Sequence, residues 1–350
     1  MNQHVKPDRM KHWTLSDVGR ANLALASTAM PVPADNEILV KVSAVSLNYR
    51  DLLLIDGGLG FAAKAEPFVP ASDAAGVVVM AGASVTRFRS GDRVISTFIP
   101  GWIEGGGFGT AREPNDRTLG GSMPGVLAEY VVLDQNWAVK APESLNDAEA
   151  STLPCAGLTA WTALVERGKL HAGQTVVVQG TGGVAMFGLQ LAAAHGAEVI
   201  VVSGDDGKLD RAKALGATHA INRKREDWVE AVYRLTSDRG ADHILEIVGG
   251  AHLGRALQAA AVFGRVSLIG VLEGFEISGQ FAPLAVKHLT VEGIQVGNRK
   301  GLENLVRAID RTGLKPVIDA EYALADLPVA LDHLERGPFG KVVVRGQPNS

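Results

Sequence analysis

The chain is short of cysteine and of long apolar runs, and both shortages exclude whole classes of protein. Cys155 is the single cysteine among 350 residues. An internal disulfide is therefore excluded, as is a structural zinc site made of four cysteines or of two cysteines and two histidines. No stretch approaches the roughly 18 consecutive apolar residues of a membrane-spanning helix. We expect no membrane partner.

Basic charge is also scarce. The 34 Lys and Arg residues are outnumbered by 38 Asp and Glu residues, and the net charge is −4. Nucleic-acid binding typically requires a basic surface, so we expect no nucleic-acid partner. The first residues, MNQHVKPDRMKHW, contain no apolar core of a secretory signal. The expectation is a cytoplasmic protein.

The most informative segment that is present is VVVQGTGGVA, over residues 176–185. A β-branched run stops at a glycine cluster, and an apolar helical pattern follows directly. Gly180, Gly182 and Ala185 fit the G-x-G-x-x-G/A fingerprint, in which the glycines allow a tight turn and a close approach of the backbone to a pyrophosphate. The N–H groups at the start of the helix would hold that anion. The segment predicts a Rossmann dinucleotide site.

The chain changes character near residue 150. The first part is rich in β-strand patterns, such as Glu37–Val45 and Val126–Leu133, and it contains a long glycine-rich segment at 99–125 that we expect to be a functional loop. From there on, strands and helices alternate, from Thr175–Gln179 to Val291–Val296. Such alternation predicts a doubly wound parallel sheet and an α/β fold class.

Several segments carry a resemblance to a known family. The chain resembles a zinc-independent medium-chain dehydrogenase/reductase of the quinone oxidoreductase-like and alcohol dehydrogenase-like group. The resemblance covers nearly the whole chain and is carried by the following segments: NEILVKVSAVSLNYRDLL (36–53), PFVPASDAAGVV (67–78), RFRSGDRV (87–94), GVLAEYVV (125–132), LPCAGLTAW (153–161), VVVQGTGGVAMFGLQLA (176–192), RAKALGATHAIN (211–222), GRVSLIG (264–270) and GKVVV (340–344).

The resemblance implies two domains. A GroES-like β-rich catalytic domain would comprise residues 1–150 and 298–350, a Rossmann domain would comprise residues 151–297, and the active site would lie in the cleft between them. The late strands Arg265–Ile269 and Val291–Val296 are apolar and leave an edge that needs cover. We expect a homodimer joined through the Rossmann sheets, in line with the resemblance.

Zinc-dependent relatives carry their catalytic metal on a cysteine, a His-Glu pair and a second cysteine. The matching positions here are Asn48, Ser72–Asp73 and Cys155. Only the cysteine among them is a good zinc ligand, and no pair of histidines has a spacing that would replace the others. We predict that the protein holds no zinc, and that Cys155 is a small packed residue rather than a reactive thiol.

Without a metal, hydrogen-bond donors must stabilise the negative charge that hydride transfer leaves on the substrate oxygen. By resemblance, the loop Asn48-Tyr49-Arg50-Asp51 faces the nicotinamide. Asn48 or Arg50 would hold the oxygen, and Tyr49 would deliver a proton. The alternative is structural: Arg50 and Asp51 form an ion pair and Asn48 caps a turn.

The cofactor is predicted to be NADP(H) in preference to NAD(H). The second Rossmann strand ends at Ser203, with Lys208 in the next helix and Arg223 and Lys224 after the third strand, so Ser203, Lys208 and Arg223 would surround a 2′-phosphate. Asp205 leaves NAD open, because a carboxylate there binds ribose hydroxyls. The remaining predicted cofactor contacts, several implied only by the resemblance, are Thr159, Gly180, Thr181, Gly182, Gly183, Val184, Gly249, Ile269, Val271 and Val296.

These predictions converge on an NADP(H)-dependent reductase of a small enone, quinone or carbonyl substrate. Two alternatives stay open: a zinc-type alcohol dehydrogenase, and a nucleotide-binding protein with weak or lost catalysis.

Overall fold

The computed structural model describes residues 8–58, 68–107 and 109–346. Pro67, Phe108 and both chain ends therefore lie outside the described residues, although they belong to segments named above. Within the described ranges the strands are β1 (Arg9–Leu15), β2 (Leu23–Ala29), β3 (Glu37–Leu47), β4 (Asp73–Ala81), β5 (Arg93–Ser96), β6 (Tyr130–Asp134), β7 (Ala138–Lys140), β8 (Thr175–Gln179), β9 (Glu198–Ser203), β10 (His219–Asn222), β11 (Ala241–Glu246), β12 (Ala260–Leu268), β13 (Thr290–Gly293), β14 (Ile318–Ala323) and β15 (Lys341–Arg345).

The helices in the same ranges are α1 (Tyr49–Ile55), α2 (Asp147–Ser151), α3 (Leu158–Trp161), α4 (Gly183–Ala194), α5 (Asp206–Ala214), α6 (Trp228–Leu235), α7 (His252–Ala259), α8 (Phe281–Val286), α9 (Arg299–Thr312) and α10 (Leu327–Glu335). Turns of π-helix flank α3 on both sides. No helix of the described residues combines the length and the apolar character that crossing a membrane requires.

The chain divides into two compact units. One unit, here called the two-segment unit, comprises Met1–Cys155 and Asn298–Ser350; the other, the central unit, comprises Ala156–Gly297. The sequence predicts the first boundary after residue 150, whereas the two-segment unit continues to Cys155. Helix α2 belongs to this unit, because its Ala148 packs with Ala44 of β3 and Val343 of β15.

The central unit is built on a six-stranded parallel sheet in the order β10-β9-β8-β11-β12-β13. This is the strand order of a doubly wound dinucleotide-binding fold, with β8 as its first strand. Every residue of β8 is buried. Val177 lies opposite Ile200 of β9 and Ile244 of β11. A central parallel strand is covered on both faces, so the middle residues of β8 are apolar.

The two-segment unit contains a seven-stranded sheet in the order β14-β15-β3-β4-β5-β7, in which β6 also pairs with β3. The antiparallel register sets Val342 opposite Leu47 and Asp73 opposite Ser46. The start of β15 and the start of β4 therefore both lie beside the end of β3. This register decides which polar side chains meet.

The α/β fold class with a Rossmann-type sheet is confirmed, and three local predictions are corrected. The predicted loop 48–51 is instead the N-cap and first turn of α1, because Asp51 accepts a hydrogen bond from Asn48 N–H, as a capping residue does. The strand predicted over Val126–Leu133 begins only at Tyr130, since Val126 N donates to Pro70 O and Ala71 O outside the sheet. The strand predicted over Val291–Val296 ends at Gly293.

Candidate functional site

The turn after β8 has the geometry that a dinucleotide site needs. Gly180 has φ of +74°, in the left-handed region that favours glycine. Gly182 is the N-cap of α4, and no atom lies within 4 Å of the position that a Cβ would take there. Ala185 is fully buried against the strand. The open space at Gly182 and the N–H groups of the 12-residue helix α4 together form a cradle for a phosphate.

The carboxyl ends of β9 and β10 bring together part of the predicted 2′-phosphate set. Arg223 N donates to Ser203 O at 3.0 Å, so these two residues are neighbours. Lys208 lies in the first turn of α5, where its backbone N–H donates to Asp205 Oδ1 at 3.0 Å. The Asp205 carboxylate is thus engaged as the N-cap of α5.

Lys224 is a basic residue that the predicted set omitted. A Cβ on Gly204 would lie 2.9 Å from Lys224 Cε, so the lysine side chain crosses the end of β9. Arg223, Lys224 and Arg225 also line an open cavity of about 370 Å³. The run Arg-Lys-Arg was the available signal, but only the fold shows that its middle residue lies against Gly204.

The turn after β11 is organised by a buried carboxylate that the sequence analysis missed. Glu246 is 0% exposed, and its oxygens accept hydrogen bonds from Gln179 Nε2 at 3.0 Å and from His252 Nδ1 at 3.0 Å. They also accept hydrogen bonds from the backbone N–H groups of Val248, at 2.8 Å, and Gly249, at 3.1 Å. Glu246 therefore fixes the turn that carries the predicted contact Gly249.

The other predicted cofactor contacts fall into two groups, one of neighbouring residues and one of buried residues. A Cβ on Gly249 would lie 3.2 Å from Val271 Cα, and Ile269 N donates to Glu246 O at 2.8 Å, so these three predicted positions are brought together. The side chains of Thr159 and Val296 are buried. Both residues present almost no surface.

In the two-segment unit, six polar residues form what we call the Asp73 cluster: Asn48, Asp51, Ser72, Asp73, Cys155 and Lys341. Lys341 opens β15, and its Nζ donates to Leu47 O and to Asn48 Oδ1, each at 2.6 Å. Asp73 accepts hydrogen bonds from Ser72 Oγ at 2.6 Å and from Cys155 N at 3.0 Å. The cluster thus unites the four positions that match the metal ligands of zinc-dependent relatives.

Burial dominates the electrostatics of this cluster. It raises the pKa of Asp51 to about 6, against the opposing effect of the Arg50 charge. It also raises the pKa of Asp73, against the opposing effect of the Lys341 ammonium. The pKa of Lys341 is lowered by burial and held up by the Asp73 carboxylate. Lys341 and the two carboxyl groups therefore each oppose the effect of burial on the pKa of the other.

Two polar atoms of the cluster have hydrogen-bonding groups that are not used within it. Asn48 Nδ2 and Asp51 Oδ1 are buried without a hydrogen-bond partner. The Asn48 amide lies close enough to Asp73 to lower the pKa of that carboxyl group in the manner of a weak hydrogen bond. An amide nitrogen carries two N–H donors. Asn48 can therefore offer a donor to a further group.

The three predicted catalytic residues have different surroundings. Asn48 is 7% exposed and belongs to the cluster, whereas Tyr49 is 43% exposed at the first position of α1. The Arg50 guanidinium donates to Thr118 Oγ1 at 2.9 Å and to Leu119 O at 3.1 Å. It also lies 4.6 Å from the centre of the Phe98 ring. Arg50 thus fastens α1 to residues 118–119.

Among the described residues, no three His, Cys, Asp or Glu side chains are grouped so that they could hold a metal ion.

Comparison with known proteins identifies both units. Residues 34–143 match the family described as alcohol dehydrogenase GroES-like domain, and residues 183–311 match the family described as zinc-binding dehydrogenase. A zinc-type alcohol dehydrogenase-like protein of Schizosaccharomyces pombe is 35% identical over 88% of this chain and 90% of its own. The quinone oxidoreductase of Rattus norvegicus is 26% identical over 91% of this chain and 92% of its own.

Solved structures agree with these matches. The crystal structure of a putative alcohol dehydrogenase from Sinorhizobium meliloti is 61% identical, covers 97% of this chain and 100% of its own, and superposes with a TM-score of 0.95. The chain belongs to the medium-chain dehydrogenase/reductase family, and it is an oxidoreductase of the alcohol dehydrogenase and quinone oxidoreductase type.

Proposed function

We propose that the protein is a zinc-independent, NADP(H)-dependent reductase of a small enone, quinone or carbonyl compound. The family binds a nicotinamide cofactor, which supplies the hydride when bound. The observation that carries the proposal is the Lys341 ammonium inside the Asp73 cluster, 2.6 Å from Asn48 Oδ1. A buried cation already stands among the positions that match metal ligands.

The donors of this cluster do not fit zinc. Asn48 and Ser72 replace two of the matching ligands, and neither an amide nor a hydroxyl group is among the usual zinc ligands. The Lys341 ammonium would repel a divalent cation in the same place. The substrate oxygen must then be activated by hydrogen bonds.

NADP(H) is favoured by the charges at the ends of β9 and β10. Lys224 lies against Gly204, the backbone of Arg223 is bonded to Ser203, and Lys208 lies in the first turn of α5. These residues supply one hydroxyl group and three cations. Phosphate groups bind such charged donors strongly. The competing carboxylate, Asp205, already accepts from Lys208 N, and this favours the helix-capping role over a bond to ribose hydroxyls.

Substrate activation is assigned to Asn48 and Tyr49. The unpartnered Nδ2 of Asn48 would donate to the substrate oxygen as negative charge develops there. The exposed phenol of Tyr49 would deliver the proton that completes reduction. Arg50, which was predicted as a third donor, is assigned to holding α1 through Thr118 and Leu119.

The two alternatives receive less support. A zinc-type alcohol dehydrogenase needs ligands that the Asp73 cluster lacks. A nucleotide-binding protein without catalysis needs no buried amide donor, and Asn48 provides one. We further propose a cytoplasmic homodimer with a small-molecule substrate and without a nucleic-acid partner.

The dimer proposal draws on an apolar surface of the central unit. β13 is the end strand of its sheet, and unpaired edges invite pairing. Near it lie four strongly exposed apolar side chains: Val262, Phe263, Phe281 and Val286. A two-fold axis at this edge would cover both features in each copy.

The test of the proposed reaction is a steady-state assay with quinones, enones and aldehydes, each offered with NADPH and with NADH. We expect turnover of at least one class and a higher kcat/KM with NADPH. Nucleotide binding without turnover of any class would favour the non-enzyme alternative. Oxidation of simple alcohols that depends on added zinc would favour the zinc-type alternative.

A further inference from the structure

The amide of Asn48 can point in two ways, and its neighbours decide which. An asparagine side chain has an oxygen acceptor and an NH₂ donor of nearly equal shape, so only hydrogen-bond partners fix their positions. Lys341 Nζ donates to Asn48 Oδ1 at 2.6 Å. An ammonium group has donors and no acceptor. The reversed amide would set two donors against each other, and this contact therefore fixes Nδ2 on the far side.

Lys341 is itself rigidly held. It is 4% exposed, and it opens β15 directly before Val342, which lies opposite Leu47 in the sheet. The same ammonium donates to Leu47 O at 2.6 Å. Lys341 Nζ therefore holds both the backbone of Leu47 and the side chain of Asn48.

Two carboxyl groups make this buried ammonium tolerable. The charges of Asp73 and Asp51 both oppose the effect of burial on Lys341, because an unpaired buried charge is costly. Neither carboxylate lies within ion-pair distance, and the two hydrogen bonds of the ammonium therefore go to Leu47 and Asn48. The orientation of Lys341 is therefore set by its two acceptors, Leu47 O and Asn48 Oδ1.

We propose that Lys341 is a positioning residue for the reaction: it fixes the Asn48 amide so that Nδ2 is the donor presented to the substrate oxygen. This inference rests on the proposed donor role of Asn48. Lys341 touches neither substrate nor cofactor in this account. Removal of the Lys341 ammonium should lower kcat and leave KM nearly unchanged. A misdirected donor weakens binding of the transition state much more than binding of the substrate.

The experiment is a double-mutant cycle of Lys341→Met and Asn48→Ala, with stability recorded for every variant. We expect each single change to lower kcat about tenfold to a thousandfold, the range for loss of one oxyanion donor. The double variant should be no slower than the slower single variant, because both changes remove the same donor. Lys315→Met, which removes an exposed lysine bound to Ser144 O and Glu149, is the control and should keep wild-type kcat.

A second pair of variants separates the loss of the Asn48 contact from a loss of stability. Lys341→Met leaves two buried carboxyl groups without a cation, so the same change is also made in an Asp51→Asn background, which restores the net charge of the cluster. Asp51→Asn/Lys341→Met should turn over about tenfold or more slowly than Asp51→Asn alone. Equal turnover of these two proteins would overturn the inference.

A second readout does not depend on activity. The side-chain amide signal of Asn48 in a ¹⁵N NMR spectrum is assigned by its loss in Asn48→Ala. In the Lys341 variants it should shift and broaden, because the amide is no longer held. An unchanged signal would overturn the inference while the donor role of Asn48 stood. Normal turnover of Asn48→Ala would instead overturn the donor role, and with it the inference.

Discussion

Burial shifts the pKa of single acidic residues in the two-segment unit, and Asp51 is the clearest example. Burial raises the pKa of its carboxyl group to about 6, compared with about 3.9 in an unfolded chain. Between these values the folded state keeps a proton that the unfolded state releases. The free energy of unfolding should therefore fall as the pH rises from about 4 to about 6.

Asp51→Asn removes the fall in the free energy of unfolding that the Asp51 carboxyl group causes as the pH rises. Relative to the wild type, the variant should gain on the order of 1–3 kcal/mol in free energy of unfolding between pH 4 and pH 7. Urea unfolding at both pH values measures the gain. Exposed Asp326 offers the matched control, Asp326→Asn, for which no such gain is expected. The same stability difference at both pH values would refute the titration assigned to Asp51.

The proposed preference for NADP(H) also rests on single residues, at the ends of β9 and β10. Arg223→Ala and Lys224→Ala should each weaken NADPH binding, because a hydrogen bond between a charged side chain and a phosphate contributes roughly 1.5–3 kcal/mol, or about tenfold to a hundredfold in affinity. NADH affinity should stay nearly unchanged. Calorimetric titration with both cofactors measures this.

The control is Lys213→Ala, which removes an exposed cation of α5 paired with Asp210. It should alter neither affinity by more than about twofold, because exposed ion pairs contribute little. Equal losses for NADPH and NADH in the Arg223 and Lys224 variants would mean that these side chains do not meet a 2′-phosphate.

At the scale of elements, the turn between β11 and α7 depends on one carboxylate. Glu246→Gln replaces an acceptor oxygen by an NH₂ group, while four donors still point at the side chain. Each donor left unpaired in the interior costs about 1–3 kcal/mol. We expect the free energy of unfolding to fall by about 2 kcal/mol or more, and NADPH affinity to fall with it, because Gly249 is no longer held.

Glu292→Gln is the control for this change. Glu292 pairs with Arg265 at 2.6 Å on a partly exposed surface of the same unit, so its loss should cost under 1 kcal/mol and leave NADPH affinity unchanged. If Glu246→Gln matched Glu292→Gln in stability and affinity, the turn would be held by something other than the carboxylate.

The sequence predicts elements where short-range patterns decide them. β8 and the turn at Gly180 follow from a β-branched run and glycines, and the strand prediction for Thr175–Gln179 has the observed bounds. The first turn of α1 was missed because the polar composition of residues 48–51 is typical of a loop. In the structure, the hydrogen bond from Asn48 N–H to Asp51 caps a helix there. Lys341 was missed because its partner Asn48 lies 293 residues away. Glu246 was missed because it ends an apolar strand, and a strand pattern does not show which donors converge on it.

At the scale of the whole molecule, the exposed apolar surface beside β13 predicts self-association. Phe281 is 78% exposed, and Phe281→Glu would bury a carboxylate in the proposed dimer interface. We expect the wild type to be a dimer at micromolar concentration and this variant to be mostly monomeric, as measured by light scattering.

Val32→Glu serves as the control for the Phe281 variant. Val32 is 81% exposed and belongs to the two-segment unit, so this change adds the same charge to the unit that does not carry the proposed interface. It should leave the dimer intact. A monomeric wild type, or equal dissociation of both variants, would contradict an interface at β13.

The central claim is that the reaction proceeds without zinc, with hydrogen-bond donors in place of a metal. It is tested most directly by elemental analysis of the purified protein after dialysis against a chelator, with NADPH-dependent turnover measured on the same sample. We expect far less than one zinc ion per chain and full turnover. One zinc ion per chain, together with turnover that is lost on chelation and regained when zinc is added, would contradict it.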